Sequence, residues 1–433
     1  MTLWVSVWLA CTPAKERGDT GLDQEPAPKE FSVAQQIELR QHWPLPDVPD
    51  DPTNAYADDP YAAHLGQFLF YDTRFSSNGA ISCATCHSPE AGWSDGMLLG
   101  ETLEQVNRHT ISLWNAGYLR WAFWDGSCDS LWCQAIKPFE SEEEMGGNRL
   151  AMLQTFVGDG DLSFAYEDVF GPLPDISDGD RFPQNARPDP DTEHPLNQAW
   201  IAMRPEDRGV VNRFLSNVGK AIAAFERRIV SRDAPFDRFA SALLSDEGDP
   251  DGLEAISDSA ARGLKLFLGD AACHFCHDGP NFTNQEFANV GLEVRSWMPS
   301  GDRGRLEGVL LVRDEVFNGV GAFSDDPNSA EDKLAFLTIE NEQEGQFKVP
   351  TLRNVATHPP YFHGGHAETL EDAVRHYGQP ELETPEFGHR EDLLMQVSLD
   401  DQQVADLVAF LESLSSEPSD PELESSPSRP YLE

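Results

Sequence analysis

The sequence predicts a mainly α-helical protein whose two halves are related by internal duplication. In the longest segments, apolar residues recur every three or four positions, which is the spacing of one helix face. Alternating strand patterns are scarce, and one short motif occurs twice in similar surroundings. At 433 residues, the chain is long enough for two or three domains with cores of their own.

Three segments show the helical pattern most clearly. Residues 63–72 and 210–230 each place their apolar side chains on one stripe. Residues 398–414 do the same, and they open with Ser398 and Asp401, which together form a helix-capping signal. These segments predict three of the main helices.

The charge of the chain limits its partners. It has 31 basic and 75 acidic residues, which gives a formal net charge of −44 at pH 7. Nucleic acids and anionic lipid surfaces would be repelled, so neither is expected as a partner. A basic protein or a small neutral substrate is favoured, although adaptation to a salty habitat explains the charge equally well.

The N-terminus and three cysteines provide clues to whether the protein is exported from the cytoplasm. Residues 3–10 are apolar but too short to span a bilayer, and they resemble a clipped lipoprotein signal that would make Cys11 a lipid anchor. A misassigned start at Met1 is the alternative. No other segment is apolar enough to cross a membrane. Cys128 and Cys133 would form a disulfide in an oxidising compartment or remain two buried thiols.

The motif that occurs twice has the spacing Cys-x-x-Cys-His. Its residues are Cys83, Cys86 and His87 in the first copy and Cys273, Cys276 and His277 in the second. Two thiols on one turn, followed at once by histidine, suit covalent attachment of a c-type haem with the histidine on the iron. A zinc site needs four ligands, and neither motif has an evident partner pair. A thioredoxin-like site would need a βαβ context, which is absent. The sequence therefore predicts two c-type haems.

The surroundings of the two motifs also correspond. A helix ending "GQFLF" precedes the first motif and one containing "GLKLF" precedes the second. Downstream, "SLWNAGYLRWAFWDGS" (112–127) is echoed by "TLRNVATHPPYFHGG" (351–365), and each is followed by a further predicted helix. The fold class is therefore two cytochrome c-like haem domains related by internal duplication.

From about residue 60 to 415, the chain resembles bacterial di-haem cytochrome c peroxidases and their MauG-type relatives. The resemblance rests on both haem motifs and on "FWDGSCDSLWCQAIKPFESEEEMGG", "CHDGPNFTNQEFANVGL", "DRGR" (302–305) and "FKVPTLRNVATHPPYFHGG". It implies a periplasmic enzyme that reduces hydrogen peroxide with electrons from a small redox protein such as cytochrome c. It also implies that the chain forms a homodimer.

Composition and a turn-rich break at 243–254 divide the chain, and the resemblance assigns the roles of the two haem domains. The chain comprises a signal- or lipoprotein-like segment and flexible tether at 1–55, with a short helix near Phe31 to Leu39; an N-terminal peroxidatic cytochrome c-like haem domain at 56–245; a C-terminal electron-transfer cytochrome c-like haem domain at 246–415; and a disordered acidic tail at 416–433.

The family's peroxide site corresponds to four residues. The resemblance implies that Glu144 moves a proton between the two peroxide oxygens, while Gln134 orients peroxide. It implies that Pro138 keeps side-chain ligands away from the iron. Trp124 matches the tryptophan that lies between the two haems. Without the resemblance, Glu144 in the run "SEEEMGG" would be assigned to a solvated acidic loop, and Trp124 to the core.

Two features depart from the family's reductively activated members. The segment 88–106 contains no histidine to occupy the first haem's distal side, so an open iron is expected, with His109 just beyond as the remaining candidate ligand. His109 also stands where the family has an asparagine at a calcium site, whose other ligands would be the carbonyls of His358 and Pro360. Calcium is therefore in doubt.

The second departure concerns the second haem. Tyr377 occupies the position of the family's methionine ligand, which is the MauG-type choice. A phenolate stabilises oxidised iron. The alternative is a packed aromatic, and Met298 is a poorer candidate ligand because its stretch is polar. A peroxidase is the leading function, an oxidase that modifies Trp or Tyr residues of a partner protein is the alternative, and a pure electron carrier is less favoured.

Overall fold

The computed structural model describes residues 27–100, 102–246, 248–298, 300–379, 385–417 and 420–432. Cys11 and the apolar segment at 3–10 lie outside them, so the predicted lipid anchor remains a prediction. The α-helices are α1 (Val33–Leu39), α2 (Pro60–Tyr71), α3 (Cys83–Cys86), α4 (Leu131–Glu140), α5 (Arg149–Gly158), α6 (Gly160–Phe170), α7 (Pro195–Ala202), α8 (Pro205–Glu226), α9 (Pro235–Leu244), α10 (Pro250–Leu253), α11 (Asp258–Phe267), α12 (Arg305–Asp314), α13 (Glu331–Ala335), α14 (Leu370–Tyr377) and α15 (Asp401–Glu412).

Regular β structure is limited to one short pair within the described residues. β1 (Phe287–Ala288) pairs antiparallel with β2 (Phe347–Lys348), with Phe287 opposite Lys348. The predicted mainly α class is confirmed. None of the helices in the described part of the chain is long and apolar enough to cross a membrane.

Local capping explains where the main helices begin. Asp59 caps α2 by accepting hydrogen bonds from the amides of Tyr61 and Ala62. The predicted cap of α15 is wrong in detail. The cap is Asp400, which exchanges hydrogen bonds with Gln403, because the helix begins at Asp401 rather than at Ser398.

The first core lies among α2, α4, α5, α6 and α8. α2 and α8 cross at very close range, since a Cβ added to Gly66 would lie 1.9 Å from the carbonyl oxygen of Ala221. A Cβ on Gly219 would likewise lie 2.5 Å from the carbonyl oxygen of Trp132 on α4. Both positions therefore need glycine to bring the backbones together. The first haem motif packs against this core through Cys83 and Ala84.

The second core lies among α9, α11, α14 and α15. A Cβ on Gly263 of α11 would lie 1.9 Å from the carbonyl oxygen of Asp406 on α15, so glycine again permits a close crossing. The ring of Phe410 packs against Phe267, with centroids 5.1 Å apart, and against Phe236 of α9, at 5.9 Å. α9 therefore packs with the second half, although the sequence placed the boundary after residue 245.

Both ends of the described chain differ from the expected tether and tail. Phe31 and Leu39 are buried in the second core. Leu423 is 0% exposed in the first core, and its carbonyl accepts a hydrogen bond from the hydroxyl of Tyr71 at 2.8 Å. The expectation of disorder therefore does not hold at 420–432. Leu423 and Tyr431, which packs against Phe164 with ring centroids 5.0 Å apart, anchor an otherwise polar segment, so composition alone gave no signal.

The open question about Cys128 and Cys133 is resolved. They form a disulfide with a Cα–Cα distance of 5.7 Å, which lies within the usual range. Both residues are fully buried. The bond joins the loop that contains Trp124 to the first turn of α4, the helix that contains Gln134.

Candidate haem and peroxide site

The first Cys-x-x-Cys-His motif lies on a single helical turn. Thr85 accepts a hydrogen bond from the amide of Ser82, and the amide of His87 donates to the carbonyl of Cys83 at 2.8 Å. This turn places Cys83 and Cys86 next to His87. Neither cysteine is in a disulfide. The thiols are therefore available for covalent attachment.

The imidazole of His87 is oriented by a backbone carbonyl. Its Nδ1 donates to the carbonyl oxygen of Trp93 at 3.1 Å. Because a carbonyl can only accept, Nδ1 carries the proton and Nε2 keeps its lone pair for a metal. Trp93 is fully buried and has a φ of 60°, so a fixed loop presents this carbonyl. Burial also lowers the pKa of His87, which favours the neutral form that a metal needs.

The second motif is held by the same kinds of hydrogen bond as the first. The amide of His277 donates to the carbonyl of Cys273 at 2.9 Å, and its Nδ1 donates to the carbonyl of Phe282 at 3.0 Å. Burial lowers the pKa of His277 to about 4, so its imidazole is neutral at pH 7. Cys276 is also free of any disulfide.

The first haem motif opens onto a cavity that also contains the predicted peroxide residues. This cavity, here called the first cavity, is lined by Cys86, His87, Gln134, Pro138 and Glu144. The structure therefore brings together three residues that the sequence had placed here only through a family resemblance. The side-chain oxygen Oε1 of Gln134 is buried and has no hydrogen-bond partner in the described chain.

Glu144 is distinguished from its acidic neighbours by burial. Glu142 and Glu143 are exposed, whereas Glu144 is half-buried at the cavity wall. Burial raises the pKa of Glu144, and a hydrogen bond from Ser141 partly opposes this shift. The interpretation of this run as a uniformly solvated acidic loop is therefore wrong for Glu144. A carboxyl with a raised pKa can both accept and return a proton.

A second cavity surrounds the second motif. It is lined by Cys273, Cys276, His277, Tyr377 and Met298, together with a largely aliphatic wall. Tyr377 therefore lies in the same space as His277, as the sequence predicted. Burial raises the pKa of Tyr377, so the phenol is neutral unless a cation stabilises its anion.

Trp124 lies between the two cavities, since it lines both. Its Nε1 donates to the carbonyl of His109 at 2.8 Å, and its ring packs edge-on against His363, with centroids 6.5 Å apart. His109 and Lys348 also line both cavities. An aromatic wall therefore separates the two spaces.

Sequence reasoning missed a buried ionic network beside Trp124. Arg108 donates to Asp125 at 2.7 Å and to Asp302 at 2.8 Å, which joins the two halves of the chain. Lys348 is buried, and its amide donates to the carbonyl of Trp124 at 2.7 Å. Asp302 and Lys348 stood in the quoted strings "DRGR" and "FKVP", but these gave no signal for a role.

The two cavities fit c-type haem. Each is bordered by a motif with two free thiols on one turn and a neutral histidine whose Nδ1 proton is fixed by a carbonyl; Cys86 lines the first cavity, and Cys273 and Cys276 line the second. The second cavity has an aliphatic wall, which suits a porphyrin, and the first has a polar end at Glu144. These features do not match a four-ligand zinc site.

Comparison with known proteins agrees with this geometry. Residues 60–243 match the family described as di-haem cytochrome c peroxidase. The chain is 31% identical over 382 residues to the cytochrome-c peroxidase IdrP1 of Denitromonas iodatirespirans, covering 86% of this chain and 85% of that one. The chain belongs to the di-haem cytochrome c peroxidase family. As a family member, it carries c-type haem.

Two further relatives extend the likeness. The methylamine utilization protein MauG of Methylorubrum extorquens is 28% identical over 362 residues, covering 83% of this chain and 80% of the relative. The crystal structure of a MauG-like protein associated with microbial copper homeostasis superposes with a TM-score of 0.59 at 23% identity, covering 89% of this chain and 97% of that one. The second likeness supports the fold alone.

The position that the resemblance assigns to a calcium ligand is occupied by His109 in this chain. Calcium needs oxygen ligands, but His109 offers an imidazole nitrogen. Its Nδ1 donates to the carbonyl of Met97 at 2.8 Å, while its Nε2 is buried without a hydrogen-bond partner in the described residues. Burial lowers the pKa of His358 to about 4, and His109 nearby lowers it as well. A calcium ion here would depend on the carbonyls of His358 and Pro360 and on water, so the calcium site stays a prediction.

Proposed function

We propose that this di-haem peroxidase reduces hydrogen peroxide to water in the first cavity, with electrons that enter through the second. The observation that supports this most strongly is the convergence of Gln134, Pro138 and Glu144 on the cavity that contains His87. A pure electron carrier would have no use for a carboxyl of raised pKa beside the haem position.

The roles of the residues follow from their chemistry. When bound, the haem attached at Cys83 and Cys86 supplies the iron that takes up peroxide and passes electrons to it. Glu144 accepts a proton from one peroxide oxygen and returns it to the other, so that the O–O bond breaks with a good leaving group. Gln134 orients the peroxide through its free Oε1. Pro138, inside α4, offers no donor atom and keeps the distal side open.

Electrons are proposed to enter at the second haem, held by Cys273, Cys276 and His277, and to pass Trp124. An indole that lines both cavities is suited to this relay because it is large, polarizable and in reach of both spaces. The net charge of −44 favours a basic donor, such as a small cytochrome c, through electrostatic steering.

A second function is supported by Tyr377. We propose as the alternative that peroxide is used to oxidise Trp or Tyr residues of a partner protein. A phenolate ligand beside His277 would stabilise oxidised iron and thus hold an oxidising equivalent for longer. The lack of histidine in 88–106 agrees with an iron that is open without prior reduction.

We also propose that the two halves arose by duplication. Asn115 and Asn354 both have left-handed backbones, with φ of 56° and 58°, and each is followed by a short 3-10 helix. Downstream, the isolated bridge between Ala122 and Cys128 corresponds to that between Tyr361 and Ala367. These matched irregularities are hard to obtain by convergence.

The proposed compartment is the periplasm. The Cys128–Cys133 disulfide supports it, because such bonds persist in oxidising compartments. Attachment to the membrane through Cys11 and assembly as a homodimer remain predictions from the sequence.

Peroxide-dependent oxidation of a reduced, basic cytochrome c tests the function. We expect two cytochromes to be oxidised for each peroxide, at a rate that falls with ionic strength because steering is screened. Mass spectrometry of candidate partner proteins after peroxide treatment tests the alternative. If cytochrome oxidation is no faster than with the haem-free protein, the leading function is wrong.

A further inference from the structure

Trp121, three residues before Trp124, is surrounded by cations. It is 4% exposed. The guanidinium carbon of Arg305 lies 4.4 Å from the centroid of its ring, the Nζ of Lys333 lies at 4.9 Å, and the guanidinium carbon of Arg120 at 5.7 Å. Three cationic side chains therefore face one buried indole.

These cations form no direct ion pair with a carboxylate. In the described ranges, Arg120, Arg305 and Lys333 have no carboxylate oxygen within 4.0 Å, although acidic residues outnumber basic ones by 75 to 31. Arg305 donates instead to the carbonyl of Asp125 at 3.1 Å, and Lys333 donates to the carbonyl of Asp129. The cations therefore lack direct ion pairs, although the carboxylates of Asp125 and Asp129 lie near enough to influence Arg305 and Lys333.

This cluster of cations remains charged at neutral pH. Burial lowers the pKa of Arg305 to about 10, against the opposing effect of the Asp125 and Glu286 carboxylates. Burial likewise lowers the pKa of Lys333 to about 8, against the opposing effect of the Asp129 carboxylate. Both values lie above 7, so the side chains keep their protons. Lys348 adds a fourth positive group, since its Nζ donates to the carbonyl of Trp121 at 3.2 Å.

The neighbouring Trp124 has no cation over its ring in the part of the chain that the structure describes. Its indole contacts the carbonyl of His109 and the ring of His363. Arg108 and Lys348 lie beside it in the ionic network rather than over the ring. Burial lowers the pKa of His363 well below its usual value, which keeps that ring uncharged. The two indoles therefore differ in the number of cations that face the ring.

We infer that the cations around Trp121 prevent its oxidation and confine the oxidising equivalent to Trp124. A cation is attracted to the face of a neutral indole. After the loss of one electron, the indole is itself a cation, and the attraction becomes repulsion at short range in a poorly screened site. The inference rests on the proposed function, in which each peroxide takes two electrons from the protein. Oxidation of Trp121 would supply one of these two electrons.

The test removes the charges and locates the damage. The holoprotein is treated with hydrogen peroxide without an electron donor, and fragment-ion mass spectrometry measures oxidised Trp121 and Trp124. In the wild type we expect oxidation mainly at Trp124. In the double variant Arg305→Gln/Lys333→Gln, we expect oxidised Trp121 to rise about fivefold or more.

Two control variants separate electrostatics from packing. Arg303→Gln removes a charge from an exposed side chain that pairs with Glu344, and it should leave the pattern as in the wild type. Arg305→Lys keeps the charge and should also keep Trp121 protected. Should the double variant lack covalent haem, the single Lys333→Gln variant, whose side chain is half-buried, supplies the same comparison.

The failure of this inference is distinguishable from failure of the proposed function. Equal oxidation of Trp121 in wild type and charge-removal variants, with normal peroxide turnover, would overturn the inference alone. If the wild-type holoprotein does not consume peroxide, the proposed function falls and the inference with it.

Discussion

Replacing Glu144 by glutamine should lower kcat/KM for hydrogen peroxide by about 10²- to 10⁴-fold, the usual contribution of a positioned acid–base group. Glutamine keeps the size and the hydrogen bonds of the side chain but cannot accept a proton. Glu144 is half-buried in the first cavity, which Gln134 also lines, and this burial raises its pKa. Steady-state oxidation of reduced cytochrome c measures the effect.

The pH dependence of kcat/KM is an independent test of the role of Glu144. The active form of Glu144 is the carboxylate, and burial raises its pKa, so kcat/KM should fall as the pH drops through that raised value. Glu144→Gln should lose this acidic limb. Glu142→Gln is the matched control because Glu142 belongs to the same run but is exposed and pairs with Arg187. Full activity in Glu144→Gln would refute its role.

Replacing Tyr377 by phenylalanine should raise the ferric/ferrous reduction potential of the second haem by on the order of 100 mV, since axial ligands tune haem potentials over several hundred millivolts. Removal of an anionic oxygen donor destabilises the ferric form. Burial opposes ionisation of Tyr377, so the phenolate depends on iron(III) for its stability. A spectroelectrochemical titration of both haems measures the shift.

Tyr361 provides the control for that experiment. It also lines the second cavity and is buried, and Tyr361→Phe removes a hydroxyl without changing a proposed ligand. The reduction potential of the second haem in this variant should stay close to that of the wild type. An unchanged potential in Tyr377→Phe would show that the phenol is only a packed aromatic, in which case oxidation of a partner protein loses its support.

Parts of the site were predictable because they are local in sequence. Gln134 and Pro138 are four residues apart on α4, so a helix places them on the same face. The position of Glu144 depends on the turn after α4, where the amide of Gly146 donates to the carbonyl of Ser141 at 2.7 Å. Only the family resemblance supplied that position beforehand, since no pattern in the residues indicates which glutamate turns inward.

Contacts between residues far apart in the chain could not be predicted from the sequence. Arg305 and Lys333 contact a ring about two hundred positions earlier in the chain, and their own segments show only ordinary surface charge. The burial of Leu423 depends on Tyr71 and the wall of the first core, which composition does not reveal. Helix periodicity predicts which residues face a core, but it does not indicate which other segment covers them.

The central claim is that the iron held by His87 has an open coordination position beneath Glu144. Electron paramagnetic resonance of the oxidised holoprotein, before and after half-reduction, tests it most directly. The account predicts a high-spin ferric signal from one haem in the oxidised protein, with no need for reductive activation, because residues 88–106 contain no histidine. Two low-spin haems in both states would contradict it.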